Sequence, residues 1–108
     1  MDLSEAVLLH DILLEFGGRP DIRLWRNNSG LFWTRNGQRV RASVEGAPDL
    51  IGLMLPQGRF LGIECKSLTG RLSPVQKAFG EMIVRMGGLY CVARSVNDVE
   101  EYLRLENL

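Results

Sequence analysis

Asp49, Glu64 and Lys66 are the residues whose types and spacing point to shared chemistry. Glu64 and Lys66 lie two apart in the run Phe60-Leu61-Gly62-Ile63-Glu64-Cys65-Lys66. Side chains alternate faces along a strand, so the acid and the ammonium share one face about 6–7 Å apart. Leu61, Ile63 and Cys65 turn to the opposite face, which suits a core. A second apolar run, Leu50 to Leu55, precedes the turn signal Pro56-Gln57-Gly58. The pair reads as a β-hairpin that brings Asp49 beside Glu64. Two carboxylates next to an ammonium group make a site for a hard divalent cation such as Mg²⁺ or Mn²⁺, which takes oxygen ligands from carboxylates, waters and phosphates. The backbone carbonyl of Cys65 is a further candidate ligand. An ion held there polarises a phosphoryl oxygen and lowers the pKa of a bound water. Lys66 would assist the attacking water or hold the charge that builds on phosphorus. The competing reading is a cross-strand salt bridge at the surface. The apolar strand argues for burial, and a buried ionisable group needs a partner or a function.

The elements that must position this group follow from periodicity. Residues 5–16 predict a helix with Leu8, Leu9, Ile12 and Phe16 on one stripe, ended by Gly17-Gly18. Glu5 falls on that stripe and Asp11 opposite it. Asp2-Leu3-Ser4-Glu5 also fits a capping box. Glu5 is therefore either a third carboxylate for the ion, directly, through water or at a second site, or a helix cap. Asp21 to Trp25 reads as a short strand, followed by Arg26-Asn27-Asn28-Ser29-Gly30, a loop rich in phosphate and sugar donors. Leu31–Arg35 and Gln38–Val44 predict a hairpin across Asn36-Gly37 with a type I′ turn. Arg39 and Arg41 share a face there. Phe32 and Trp33 either pack on the sheet, the favoured reading, or stack on an unpaired base.

After Lys66, the stretch Ser67 to Leu72 is a connection from which Arg71 can reach DNA. Ser73-Pro74-Val75-Gln76 opens a helix as a capping box with proline at its first position. Val75, Phe79, Met82, Ile83 and Met86 form its expected buried stripe. Gln76 begins that stripe, and faces either the strand ends, to position a water, a phosphate or Lys66, or its own cap. Leu89 to Ala93 is a buried strand, expected parallel to the Glu64 strand because a helix precedes it. Ser95 caps a last helix with Val99, Tyr102 and Leu103 inward.

These pieces converge on a known pattern. Pro48-Asp49 with Glu64-Cys65-Lys66 resembles the PD-(D/E)xK nuclease motif. Together with Glu5, the Trp25-Arg26-Asn27-Asn28-Ser29-Gly30 run, Gly46-Ala47-Pro48-Asp49-Leu50 and Ser73-Pro74-Val75-Gln76, the chain resembles the stand-alone VRR-NUC family of replication and repair nucleases. The resemblance implies a restriction-endonuclease-like α/β fold, a mixed sheet flanked by helices. It also implies a metal-dependent endonuclease on branched, flapped or Holliday-junction DNA, acting as a homodimer.

Composition bounds the rest. The chain has 108 residues, 45% of them hydrophobic, enough for one domain spanning 1–108. No apolar run approaches the roughly 20 residues of a membrane span, and Met1 to Glu5 lacks the basic start of a secretion signal. Cys65 and Cys91 read as free buried thiols in a reducing compartment, so a cytoplasmic location, bacterial or in a phage-infected cell, is expected. The formal net charge is zero, but residues 19–41 hold six arginines against Asp21 alone. That block is the expected phosphate footprint, with Arg26, Asn27, Asn28, Arg39, Arg41 and, further on, Arg71 as DNA-binding residues. His10 is the sole histidine, which excludes a zinc–imidazole cluster. A non-catalytic DNA-binding module using the same arginines remains the alternative. A restriction-type enzyme lacks residues for a recognition domain.

Overall fold

The strand that carries Glu64 is buried on both faces from Leu61 to Cys65, which only a central strand achieves. The computed structural model describes residues 2–28, 31–41 and 44–106, without the side chains at 31, 32 and 41. The readings of Ser29-Gly30 and of the Phe32 and Arg41 side chains therefore lie outside the described residues. In chain order the elements are α1 (Leu3–Phe16), β1 (Ile22–Arg26), β2 (Leu31–Trp33), β3 (Arg39–Arg41), β4 (Leu50–Met54), β5 (Arg59–Cys65), α2 (Pro74–Arg85), β6 (Leu89–Ala93) and α3 (Val96–Glu106). Four strands form one mixed sheet in the order β1-β4-β5-β6. β4 lies antiparallel to β1 and β5, and β6 runs parallel to β5 through the α2 crossover. The chain thus has the mixed α/β architecture of the restriction-endonuclease-like fold.

The two faces of the sheet differ in cover. On one face Ile22, Leu24, Leu50, Met54, Leu61, Ile63, Cys65, Leu89, Cys91 and Ala93 pack under α1 and α3, against Leu9, Ile12, Phe16, Val99 and Leu103. On the other face α2 covers the β6 side. It comes close because Gly80 presents bare backbone to the ring of Tyr90, where a Cβ would stand 2.4 Å from a ring carbon. The β1–β4 half of that face stays open, with Trp25, Leu53 and Phe60 exposed to 43%, 45% and 38%. For the same reason the expected stripe of α2 is only partly covered. Ile83 is buried, while Val75 and Met86 are 43% and 76% exposed. The helical spacing was right, but the surface it would pack against stops short.

β2 and β3 form a separate two-stranded sheet that packs on itself and on little else. Its turn differs from the expected type I′ form. Gly37 has φ +83°, but no non-glycine residue among those described has positive φ, so Asn36 does not meet the type I′ requirement. Gly37 N–H donates to Thr34 O and Thr34 N–H to Gln38 O, a three-residue loop closed by a glycine bulge. Trp33 is 69% exposed rather than packed on the sheet, because among the described residues little beyond β2 and β3 themselves packs on this arm.

Candidate active site

Glu64 sits at the end of β5 where three elements meet. The β4–β5 register pairs Leu50 with Ile63, so one step further Asp49 stands opposite Glu64 and Pro48 opposite Cys65. Residues directly opposite each other share a face. The ladder changes character here because Pro48 has no N–H to offer the Cys65 carbonyl. The Cys65 N–H is met separately, donating to Asp49 Oδ2 at 2.9 Å. Asn27, just past β1, pins the same corner: its backbone N–H donates to Asp49 O at 2.9 Å and its side-chain amide to Pro48 O at 3.1 Å.

Glu64 is 2% exposed. Its Oε1 accepts from Gln76 Nε2 at 3.3 Å, while Oε2 is buried with no donor in reach. Burial first, and then the charge of Asp49, push its pKa up to about 8; Lys66 pulls the other way. Burial beside Asp49 thus disfavours the charged form of this carboxyl. A divalent cation held at this site would offset that penalty and satisfy the orphaned Oε2. Asp49, Glu64 and the Cys65 carbonyl therefore fit a hard, oxygen-bound divalent ion that keeps several waters. Among the described residues no three Asp, Glu, His or Cys side chains gather into an all-side-chain cage.

The helix termini each contribute one side chain. Asp2 caps α1 by accepting the Glu5 N–H at 2.8 Å. Glu5 does not complete a capping box; its Oε1 accepts from Ser67 N–H at 3.3 Å and so ties α1 to the segment after Lys66. Gln76 both closes its own cap and faces the strand ends, where it meets Glu64 rather than Lys66. Its Oε1 accepts from Ser73 N–H at 2.9 Å to complete the capping box, and its Nε2 reaches Glu64. Glu5, Leu9, Arg26, Asn27, Asp49, Glu64, Lys66 and Gln76 line one cleft of about 230 Å³.

Asn28, Arg39 and Arg71 are exposed and do not line this cleft. Arg39 and the backbone of Arg41 belong to the β2–β3 arm. Arg19, counted with the basic block, is engaged elsewhere, bridging Glu15 and Glu100 between α1 and α3. Sequence reasoning missed Arg94, whose guanidinium donates to Ser67 O and, at 2.6 Å, to Gly70 O. It holds the loop after Lys66 from the end of β6. An arginine beside a serine cap carries no signal of that role. Cys65 and Cys91 are free and buried, and burial pushes both thiols up to about 12, which leaves them no nucleophilic character.

A comparison with family models decides the matter: the VRR-NUC domain matches residues 31–97. The chain belongs to the VRR-NUC family. The matched span contains Asp49, Glu64, Lys66 and Gln76, and leaves Glu5, Arg26 and Asn27 outside. As a VRR-NUC member the chain is a nuclease-type domain that processes DNA. No curated protein matches it. No helix among the described residues is long and apolar enough to cross a membrane.

Proposed function

We propose that this VRR-NUC domain is an Mg²⁺- or Mn²⁺-dependent endonuclease that hydrolyses phosphodiester bonds in branched DNA, including four-way junctions. The observation that carries the reading is Asp49 across the ladder from Glu64, with Lys66 in the same cleft. Asp49, Glu64 and the Cys65 carbonyl would hold the ion. When bound, it would supply Lewis-acid polarisation of the scissile phosphate and a more acidic water. The chain's own groups do the rest. Gln76 holds Glu64 through Oε1 and leaves Oε2 without a protein donor. Lys66 places an ammonium group where negative charge develops on the phosphoryl oxygens, and stabilises it in a partly dry site. Glu5 orients water at the α1 side of the cleft and anchors the Ser67 loop. Arg26 lines the opposite wall and is suited to grip a flanking phosphate.

One such cleft cuts one strand. Resolving a junction takes two symmetric nicks, which a two-fold dimer supplies. The open sheet face at Trp25, Leu53 and Phe60 continues into a pocket of about 280 Å³ lined by Phe79, Met82 and Met86, and supports packing of a second copy. The test is a cleavage panel of duplex, flap, splayed-arm and four-way-junction DNA with Mn²⁺ and with EDTA. Metal-dependent cutting that favours branched substrates is expected. A gel shift on the same DNAs with no cutting in any metal would reduce the protein to a binding module.

A further inference from the structure

The β2–β3 arm carries features that the catalytic cleft does not use. In its register Trp33 stands directly opposite Arg39, so an indole and a guanidinium share one face. Trp33 is 69% exposed and Arg39 is exposed. Arg35 in the turn is exposed too, and residues 31–41 contain no acidic residue. An exposed indole beside two arginines presents a π-face next to positive charge, the pairing that stacks bases and holds backbone phosphates in single-strand binders.

The arm is also placed to meet the substrate. It is inserted between Asn27 and Pro48, the two residues joined at the rim of the cleft. Trp33 follows Asn27 by six positions, so extended chain keeps the Trp33 Cα within about 22 Å of that rim. That is the span of a few nucleotides.

We propose that this arm is a binding site for an unpaired nucleobase: Trp33 stacks on the base while Arg39 and Arg35 hold the adjoining phosphates. The ligand class is single-stranded DNA next to the cut site, as found at a fork or an open junction. Stacking offers a π-face to every base, so the site reads unpaired structure rather than sequence. A paired base inside a duplex presents no such face. The proposal rests on the nuclease reading for the identity of the strand, but not on the chemistry of cleavage.

The test uses the whole chain in EDTA, where binding is read without cutting. In a Trp25→Phe background Trp33 is the sole tryptophan, because the chain has two. Its emission is titrated with oligo-dT, with a splayed duplex bearing dT arms, and with a blunt duplex of equal phosphate content. Dye-labelled DNA anisotropy follows binding in parallel. Quenching by the single strand and the fork, with little by the blunt duplex, is expected. Trp33→Ala should weaken fork binding by roughly 5- to 150-fold, the usual range for one lost stack. It should leave blunt-duplex binding within about threefold, and Trp33→Phe should recover most of the loss. Equal quenching by blunt duplex, or a fork preference that survives Trp33→Ala, would overturn the site. Emission that follows protein concentration and ignores DNA would make the arm a contact between copies, and would overturn it equally. Loss of metal-dependent cutting with this binding intact would count against the nuclease reading alone.

Discussion

Asp49 and Glu64 face each other one step beyond the last paired residues of the β4–β5 ladder, with Glu64 Oε2 buried and lacking a donor. This relationship sets a pH dependence. The ordinary glutamate value is 4.5, and burial beside Asp49 raises Glu64 to about 8. Between those values the folded metal-free protein keeps a proton that the unfolded chain releases. Stability therefore falls as pH rises through that window. The melting temperature of the metal-free protein should decline from pH 5 to pH 8, and Glu64→Gln should flatten that decline. An ion entering the site must displace the proton, so Mn²⁺ affinity should rise with pH up to about 8 and then level. Calorimetry in two buffers of different ionisation heat should show release of up to one proton per ion near pH 6.5, and none in Glu64→Gln.

Lys66→Ala and Asp49→Asn should each lower the cleavage rate by at least about 100-fold, the scale for removing one group that stabilises transition-state charge. Circular dichroism should be unchanged, and DNA affinity in EDTA should move little. Parent-like cutting by either variant would remove the proposed mechanism.

Arg94 acts on the cleft through the Ser67–Gly70 loop. Arg94→Ala leaves two partly buried carbonyls without their charged donor, at a cost of about 1–3 kcal/mol. Urea unfolding should show that loss. Cleavage should fall mainly in kcat, because Lys66 adjoins the released loop. Both bonds come from one nitrogen, Nη1, and an ammonium also offers several donors from one nitrogen, so Arg94→Lys should recover most of the loss.

Arg26 lines the cleft and is exposed. Arg26→Ala should weaken DNA binding and reduce the slope of log affinity against log salt by about one. Titrations between 50 and 200 mM salt, roughly the range over which such slopes are read, decide this. An unchanged slope would take Arg26 out of the phosphate footprint.

Gly80 lies against the ring of Tyr90. Gly80→Ala should destabilise the protein by about 1–3 kcal/mol through overpacking. The penalty should shrink in a Tyr90→Leu background, which a double-mutant cycle measures. Additive effects would mean that the close approach does not limit α2.

Local rules carried much of the chain. The hairpin containing Asp49 and Glu64, the parallel β6, the α1 stripe and the Ser73–Gln76 capping box all follow from period, turn residues and caps, which depend on neighbours within a few positions. The acid pair and Lys66 were legible because a strand alternates faces with a fixed period of two. What neighbours in sequence could not decide was cover. Trp33 and Met86 carry the apolar character of core residues, yet among the described residues little covers the arm or the end of α2, and both stay exposed. The Asn36-Gly37 signal was real, but the turn closed as a glycine bulge once Thr34 and Gln38 paired. Glu5 had two local readings; the tertiary structure sets aside the capping box and instead brings Ser67 N–H to its carboxylate from 62 residues away. Arg94 and the double use of Gln76 depended on the same kind of long-range meeting. Alternation and caps are written in adjacent residues. Exposure, and which distant backbone group a side chain meets, arise only when the sheet and helices have packed.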